Sequence, residues 1–143
     1  MPWPFDATPD AASASAHMTD MERSMRAFPW ETTAVGPVAC WPHSLKSAVR
    51  TVLDLRLPAY LAWGDSYVQF FNDAYVPILG DKKDGALGND ARVTWSEIWP
   101  TIGPMWAQVR RGEALGSEGL PLTINRYGYY ETCYFSQIGR AHV

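Results

Sequence analysis

Between residues 44 and 53, Leu45, Ala48, Val49, Val52 and Leu53 recur at spacings of three and four. On a helix those positions form one continuous apolar stripe. Pro58 holds Leu57 in an extended conformation, so the pattern predicts a helix from Ser44 to about Arg56. The period then changes. Tyr60–Trp63 is a short apolar run, Gly64-Asp65-Ser66 is turn chemistry, and Tyr67–Phe71 is rich in aromatic and β-branched residues. Two such runs joined by a short glycine-containing loop predict a β-hairpin. Asn72-Asp73 then offers a helix N-cap, Pro77 keeps the following helix short or bent, and Gly80 ends it. The rest of the chain is organised around this unit, residues 60–80.

Downstream, 81–90 reads as a polar loop with one helical turn. Thr94–Trp99 reads as a further helical turn, with Thr94 and Glu97 as a capping box, Trp95, Ile98 and Trp99 on one face, and Pro100 closing it. A longer helix is expected from Pro104 to Arg111, with Ile102, Met105, Trp106 and Val109 pointing inward and Gly112 as its cap. Two alternating strands follow, Leu120–Ile124 and Tyr129–Phe135, with a turn over Asn125–Gly128. Pro121 places the first of them at an edge or at a strand start. Upstream, residues 1–20 are rich in Pro, Ala and Ser without periodicity, which predicts disorder or weak helix. Met21–Phe28 supports one or two helical turns, and Trp30 and Trp41, in a connector broken by Pro29, Gly36, Pro37 and Pro42, are expected to tuck against the domain. Strands at both ends with helices between them read as α+β with an antiparallel sheet, the leading helix covering an open face or edge.

The length of 143 residues suits one domain plus a tail, and seven Trp among 13% aromatics predict a bulky core. A net charge of −3 argues against non-specific nucleic-acid binding, and Lys82-Lys83 and Arg110-Arg111 read as solvated pairs. Cys40 and Cys133 read as free thiols. The N-terminus lacks a basic flank with an apolar core, and no apolar run approaches the ~18 residues of a membrane helix. A cytoplasmic location is expected, with a membrane span elsewhere in a longer protein left open.

One triplet carries a catalytic reading. In Gly64-Asp65-Ser66 a GDS-type esterase would place its nucleophilic Ser, but such an enzyme also needs an Asp-x-x-His to supply the base. The nearest candidate, His142, has Gly139 three residues before it. A plain hairpin turn is the favoured reading. No Cys/His cluster has zinc spacing, so neither catalytic residues nor a metal are assigned.

Trp41-Pro42-x-Ser44-Leu45, Pro58, Trp63-Gly64, Asn72-Asp73-Ala74-Tyr75, Ile78-Leu79-Gly80, Leu87-Gly88, Trp95-x-Glu97-Ile98-Trp99 and Arg126-x-Gly128 occur in an order that resembles a PAS domain of bacterial sensor histidine kinases. The resemblance covers roughly residues 41–135. It implies an antiparallel sheet with short helices on one face, preceded by an N-terminal helix. It also implies a fifth, central strand beside the first, which does not follow the fourth here. The ending Ile138–Val143 resembles a translated sequencing adapter. The expected division is therefore a disordered or irregular extension over 1–42, an incomplete PAS-like domain over 43–137 and a non-native tail over 138–143. Such a fragment is expected to be unfolded or aggregation-prone.

The resemblance further implies a sensory and interaction module, non-catalytic in itself, with a candidate cavity lined by Trp63, Phe70, Asn72, Tyr75, Trp95, Trp99 and Trp106. Simple core filling is the favoured reading of the same side chains. The implied partners are an output kinase domain in the full-length chain, a second copy and a small-molecule ligand, with no nucleic acid. No cofactor is identified: Lys82–Trp99 has no Cys for a flavin adduct, and Pro104–Arg111 has no His for haem. A purely dimerising module without ligand is the alternative, and the esterase the remote one.

Overall fold

A computed structural model describes residues 18–111, without the side chains of 109 and 110, and the backbone of Leu115–Asn125 and Tyr130–Gly139. The first element, α1 (Asp20–Ala27), starts where the Thr19 side chain accepts from Glu22 N at 3.1 Å. Asp20 and Glu22 in its first turn and Arg26 in its last complement the helix dipole. Met21 and Met25 are its buried residues facing the core. The chain then folds back on itself. Trp30 Nε1 donates to Met25 O at 2.7 Å, and Trp41 Nε1 donates to Gly36 O at 2.9 Å. Both indoles are buried, as the sequence led us to expect, so the segment ahead of residue 42 contributes to the same core as the segment after it.

The helix α2 (His43–Asp54) buries Leu45, Val49, Val52 and Leu53, the stripe read from their spacing. It packs on a hairpin of β1 (Tyr60–Trp63) and β2 (Val68–Phe71), paired antiparallel with Tyr60 opposite Phe71 and Ala62 opposite Gln69. Every residue of β2 is buried whereas those of β1 are half-buried. The cause is position. The far edge of β2 is covered by the segment 88–91, through Gly88 N to Gln69 O (2.9 Å), Gln69 N to Asn89 O (3.1 Å) and Ala91 N to Tyr67 O (3.0 Å). The turn between the strands uses positive φ at Gly64 (76°) and also at Tyr67 (46°), where a side chain costs about 1–3 kcal/mol.

After β2 the chain enters a single helical turn, Asp73–Tyr75, capped by Asn72 as expected, and then α3 (Val76–Leu79), which Gly80 ends at φ 59°. Two expectations fail in the next stretch. The helical turn placed at Thr94–Trp99 lies earlier, as α4 (Ala91–Thr94), because the Asp90 side chain caps it by accepting from Arg92 N at 2.8 Å. Thr94 and Glu97 form no capping box. The Thr94 hydroxyl accepts from Gln69 Nε2 and Glu97 pairs with Lys82. The helix placed at Pro104–Arg111 begins earlier, as α5 (Trp99–Arg110), with Pro104 inside it. Pro100 sits in the first turn, where a missing donor removes nothing, and Ile102 N donates to Ile98 O at 3.0 Å. An interior proline costs roughly 3 kcal/mol, so burial of Ile102 and ring packing by Trp99 and Trp106 must offset Pro104.

The last two strands are longer than their alternation suggested. β3 (Leu115–Asn125) and β4 (Tyr130–Gly139) pair antiparallel, with a register shift between Ser117 and Leu120. Ile138 and Gly139, read as foreign, pair with Gly116 and Leu115; residues 140–143, the Asn125–Gly128 turn beyond its first residue, and the Gly112 cap lie outside the described residues. The fold is α+β. Its strands form two separate two-stranded sheets, β1 with β2 and β3 with β4, where one antiparallel sheet was expected. Both faces of the β1–β2 hairpin are covered, one by Trp30 and Trp41 of the connector and the other by Tyr75 and Trp106.

Candidate functional site

Residues directly opposite in an antiparallel pair project to the same face. The register therefore sorts the hairpin. Tyr60, Ala62, Gln69 and Phe71 share one face, here called the tyrosine face; Leu61, Trp63, Val68 and Phe70 share the other. On the second face Phe70 stacks on Trp30 (ring centroids 4.9 Å, 22° between planes) and meets Trp41 edge-on at 5.6 Å. Trp63 lies with Pro42, Leu45, Val35 and the hairpin turn around an open cleft of about 370 Å³.

The tyrosine face carries a continuous layer of rings. Tyr60 meets Tyr75 at 5.1 Å and Trp106 at 5.8 Å; Trp106 meets Tyr67 at 5.7 Å and Trp99 at 5.4 Å; Tyr67 meets Trp99 at 5.4 Å. The Arg92 guanidinium lies over the Tyr67 ring at 5.8 Å, within cation–π range. Gly103 makes the position of Trp99 possible. A Cβ there would lie 2.8 Å from Trp99 Nε1, so the indole can lie across α5 only because that position has no side chain. Burial pushes the Tyr60 and Tyr75 hydroxyls well above the ordinary tyrosine range, with a hydrogen bond from the Trp95 indole acting the other way on Tyr60. Both are neutral in any physiological medium.

The seven candidate cavity residues thus divide. Tyr75, Trp95, Trp99 and Trp106 belong to the tyrosine face. Trp63 and Phe70 project to the opposite face. Asn72 lines neither ring layer but ties the backbone together: its Oδ1 accepts from Ala59 N (3.1 Å) and Tyr75 N (3.2 Å), and its Nδ2 donates to Leu55 O (3.0 Å) and Leu57 O (2.8 Å). These seven side chains do not surround one cavity.

Residues outside that set complete the layer. Gln69 is fully buried, accepts from the Tyr60 hydroxyl, and donates to Ala86 O and Thr94 Oγ1, both at 2.8 Å. A polar residue inside the apolar run Val68–Phe71 was the available signal for it, and Tyr67 was signalled only by the turn it ends. A second cleft, about 440 Å³, opens between α1, α2 and the Asn72–Ala74 turn, lined among others by Glu22, Arg50, Arg56 and Asp73.

Gly64-Asp65-Ser66 forms the hairpin turn, closed by Tyr67 N donating to Gly64 O at 3.1 Å. The one histidine among the described residues, His43, lies 3.5 Å from Ser47 on α2. Among the described residues no group of three His, Cys, Asp or Glu side chains could hold a metal ion, and no helix is long and apolar enough to cross a membrane. In comparisons with known proteins, no family model, no characterised protein and no solved structure matches this chain.

Proposed function

We propose that this chain is a PAS-type sensory and interaction module of a bacterial signalling protein, acting in the cytoplasm by binding and making no bonds of its own. The observation that carries the reading is the ring layer on the tyrosine face, where β1, the hairpin turn, the short Asp73–Tyr75 helical turn and α5 converge on Tyr60, Tyr67, Tyr75, Trp99 and Trp106. Such a layer offers flat apolar contact with polar tips, the make-up of a small-molecule site. A ligand inserting there would favour one packing of helices on the hairpin, and its differential affinity for the two packings would bias an attached output domain, a kinase in this reading.

Native mass spectrometry of the purified chain tests the proposal. A bound small molecule retained by the wild type and lost from Trp106→Ala supports it. A ligand-free monomer across all charge states contradicts it, and a ligand-free dimer points instead to a purely dimerising module.

A further inference from the structure

Asp73 holds a helix that is distant in sequence. Its carboxylate accepts from Met21 N, at 3.2 Å to Oδ1 and 3.4 Å to Oδ2, so the start of α1 is fixed by a residue from beyond β2 as well as by its own Thr19. A second anchor lies along the same helix, where Glu22 pairs with Arg50 of α2, itself bonded to Asp54 at 2.8 Å. Trp30 Nε1 also donates to Met25 O at 2.7 Å, and Met21 and Met25 bury apolar side chains in the core.

The turn that carries Asp73 also carries Tyr75. Asn72 clamps Tyr75 N, while the Tyr75 ring packs on Tyr60 at 5.1 Å and on Phe71 at 6.1 Å. One three-residue turn therefore touches the ring layer with one side chain and the N-terminus of α1 with another. Asn72 ties that turn to Ala59, Leu55 and Leu57.

From this we propose that α1 is a releasable strap, and that the Asn72–Tyr75 turn couples its release to the packing of the tyrosine face. Pushing Tyr75 out of the ring layer withdraws the Asp73 carboxylate from Met21 N and leaves α1 with one fewer anchor beside the Glu22–Arg50 pair, the Trp30–Met25 hydrogen bond and the buried methionines. The strap does not depend on what, if anything, the ring layer binds, so the experiment uses the full chain without ligand.

Amide hydrogen exchange read by mass spectrometry reports α1 and α2 separately. Losing an N-terminal carboxylate acceptor should raise exchange across 20–27 about five- to tenfold in Asp73→Ala, with 43–54 unchanged. Asp73→Asn, which keeps an acceptor oxygen, should fall between that variant and wild type. The decisive variant is Tyr75→Ala, which touches neither anchor yet should also speed exchange in α1, whereas Trp99→Phe in the same ring layer should not. Wild-type exchange in α1 of Tyr75→Ala, or equal acceleration of α1 and α2, overturns the coupling. Unchanged α1 in Asp73→Ala overturns the strap itself.

Discussion

Tyr60 and Gln69 meet diagonally across the hairpin: the hydroxyl donates to Gln69 Oε1 at 2.5 Å, although their backbones pair with Phe71 and Ala62 respectively. The contact joins β1 to β2, and the same amide continues to Ala86 and Thr94. One buried side chain thus satisfies groups on three elements. Gln69→Leu conserves volume but strands the Tyr60 hydroxyl proton and the Thr94 hydroxyl, while Ala86 O keeps its bond from Asn89 N at 3.1 Å. With about 1–3 kcal/mol for each stranded group and part of that recovered by relaxation, we expect a loss of about 2–4 kcal/mol in urea unfolding. A loss below that of an exposed control would mean that the network is not closed in solution.

The α2 stripe gives a graded test. Leu45 is 1% exposed and faces the hairpin, whereas Leu57, just past the helix, is 73% exposed. Leu45→Ala should cost about 2–4 kcal/mol through lost transfer energy and the cavity left behind. Val49→Ala loses less volume and should cost less. Leu57→Ala should change the unfolding midpoint little, since surface substitutions stay within about 0.5 kcal/mol. Equal effects at 45 and 57 would show that α2 does not pack as described.

The buried tyrosines make stability sensitive to alkali. Tyr60 and Tyr75 are held above their unfolded value near 10 by burial, so they stay protonated in the folded chain while the unfolded chain ionises. Their neutral form is compatible with the fold at every pH below the unfolded value. Above it, each should reduce stability by up to about 1.4 kcal/mol per pH unit until its folded value is reached. Absorbance at 295 nm should show two tyrosines ionising together with unfolding. Ionisation of all seven as one ordinary group, with near-ultraviolet circular dichroism unchanged, would remove this burial.

How far the sequence could be read follows from which signals are local. The hairpin, its turn, the Asn72 cap and the α2 stripe each rest on a few adjacent residues, and each lies within a residue or two of its expected position. The candidate site was read by bulk. Alternation along Val68–Phe71 separates Phe70 from Gln69 and Phe71, but only the pairing of Tyr60 with Phe71 shows which residues of β1 join which face. Trp63 and Phe70 were therefore placed with Trp99 and Trp106 across a strand that separates them. Likewise, Thr94 and Glu97 match a capping box, but Asp90 competes for the same turn and wins because its side chain reaches Arg92 N. The role of Asp73 depended on a contact 52 positions away, which no local pattern encodes.

Gly103 decides between two opposed magnitudes. In a helix interior, Gly→Ala ordinarily stabilises by about 0.8–1 kcal/mol, because Ala loses less backbone entropy. Here the added Cβ would sit 2.8 Å from Trp99 Nε1 and 3.0 Å from Cε2, and the neighbour is a rigid bicyclic ring. Forcing an indole from a packed position costs roughly 1–3 kcal/mol, which exceeds the helix gain. Gly103→Ala should therefore be net destabilising, and the near-ultraviolet circular dichroism from the Trp99–Trp106 pair, held at 5.4 Å and 87°, should weaken. The sign should reverse once the ring is gone: in a Trp99→Ala background the same Gly103→Ala should stabilise. The double-mutant cycle should then show a coupling of about 1–3 kcal/mol between positions four residues apart. Additivity within about 0.5 kcal/mol would mean that Trp99 does not lie over Gly103, and the ring layer would lose one of the two side chains that join Tyr67 to α5.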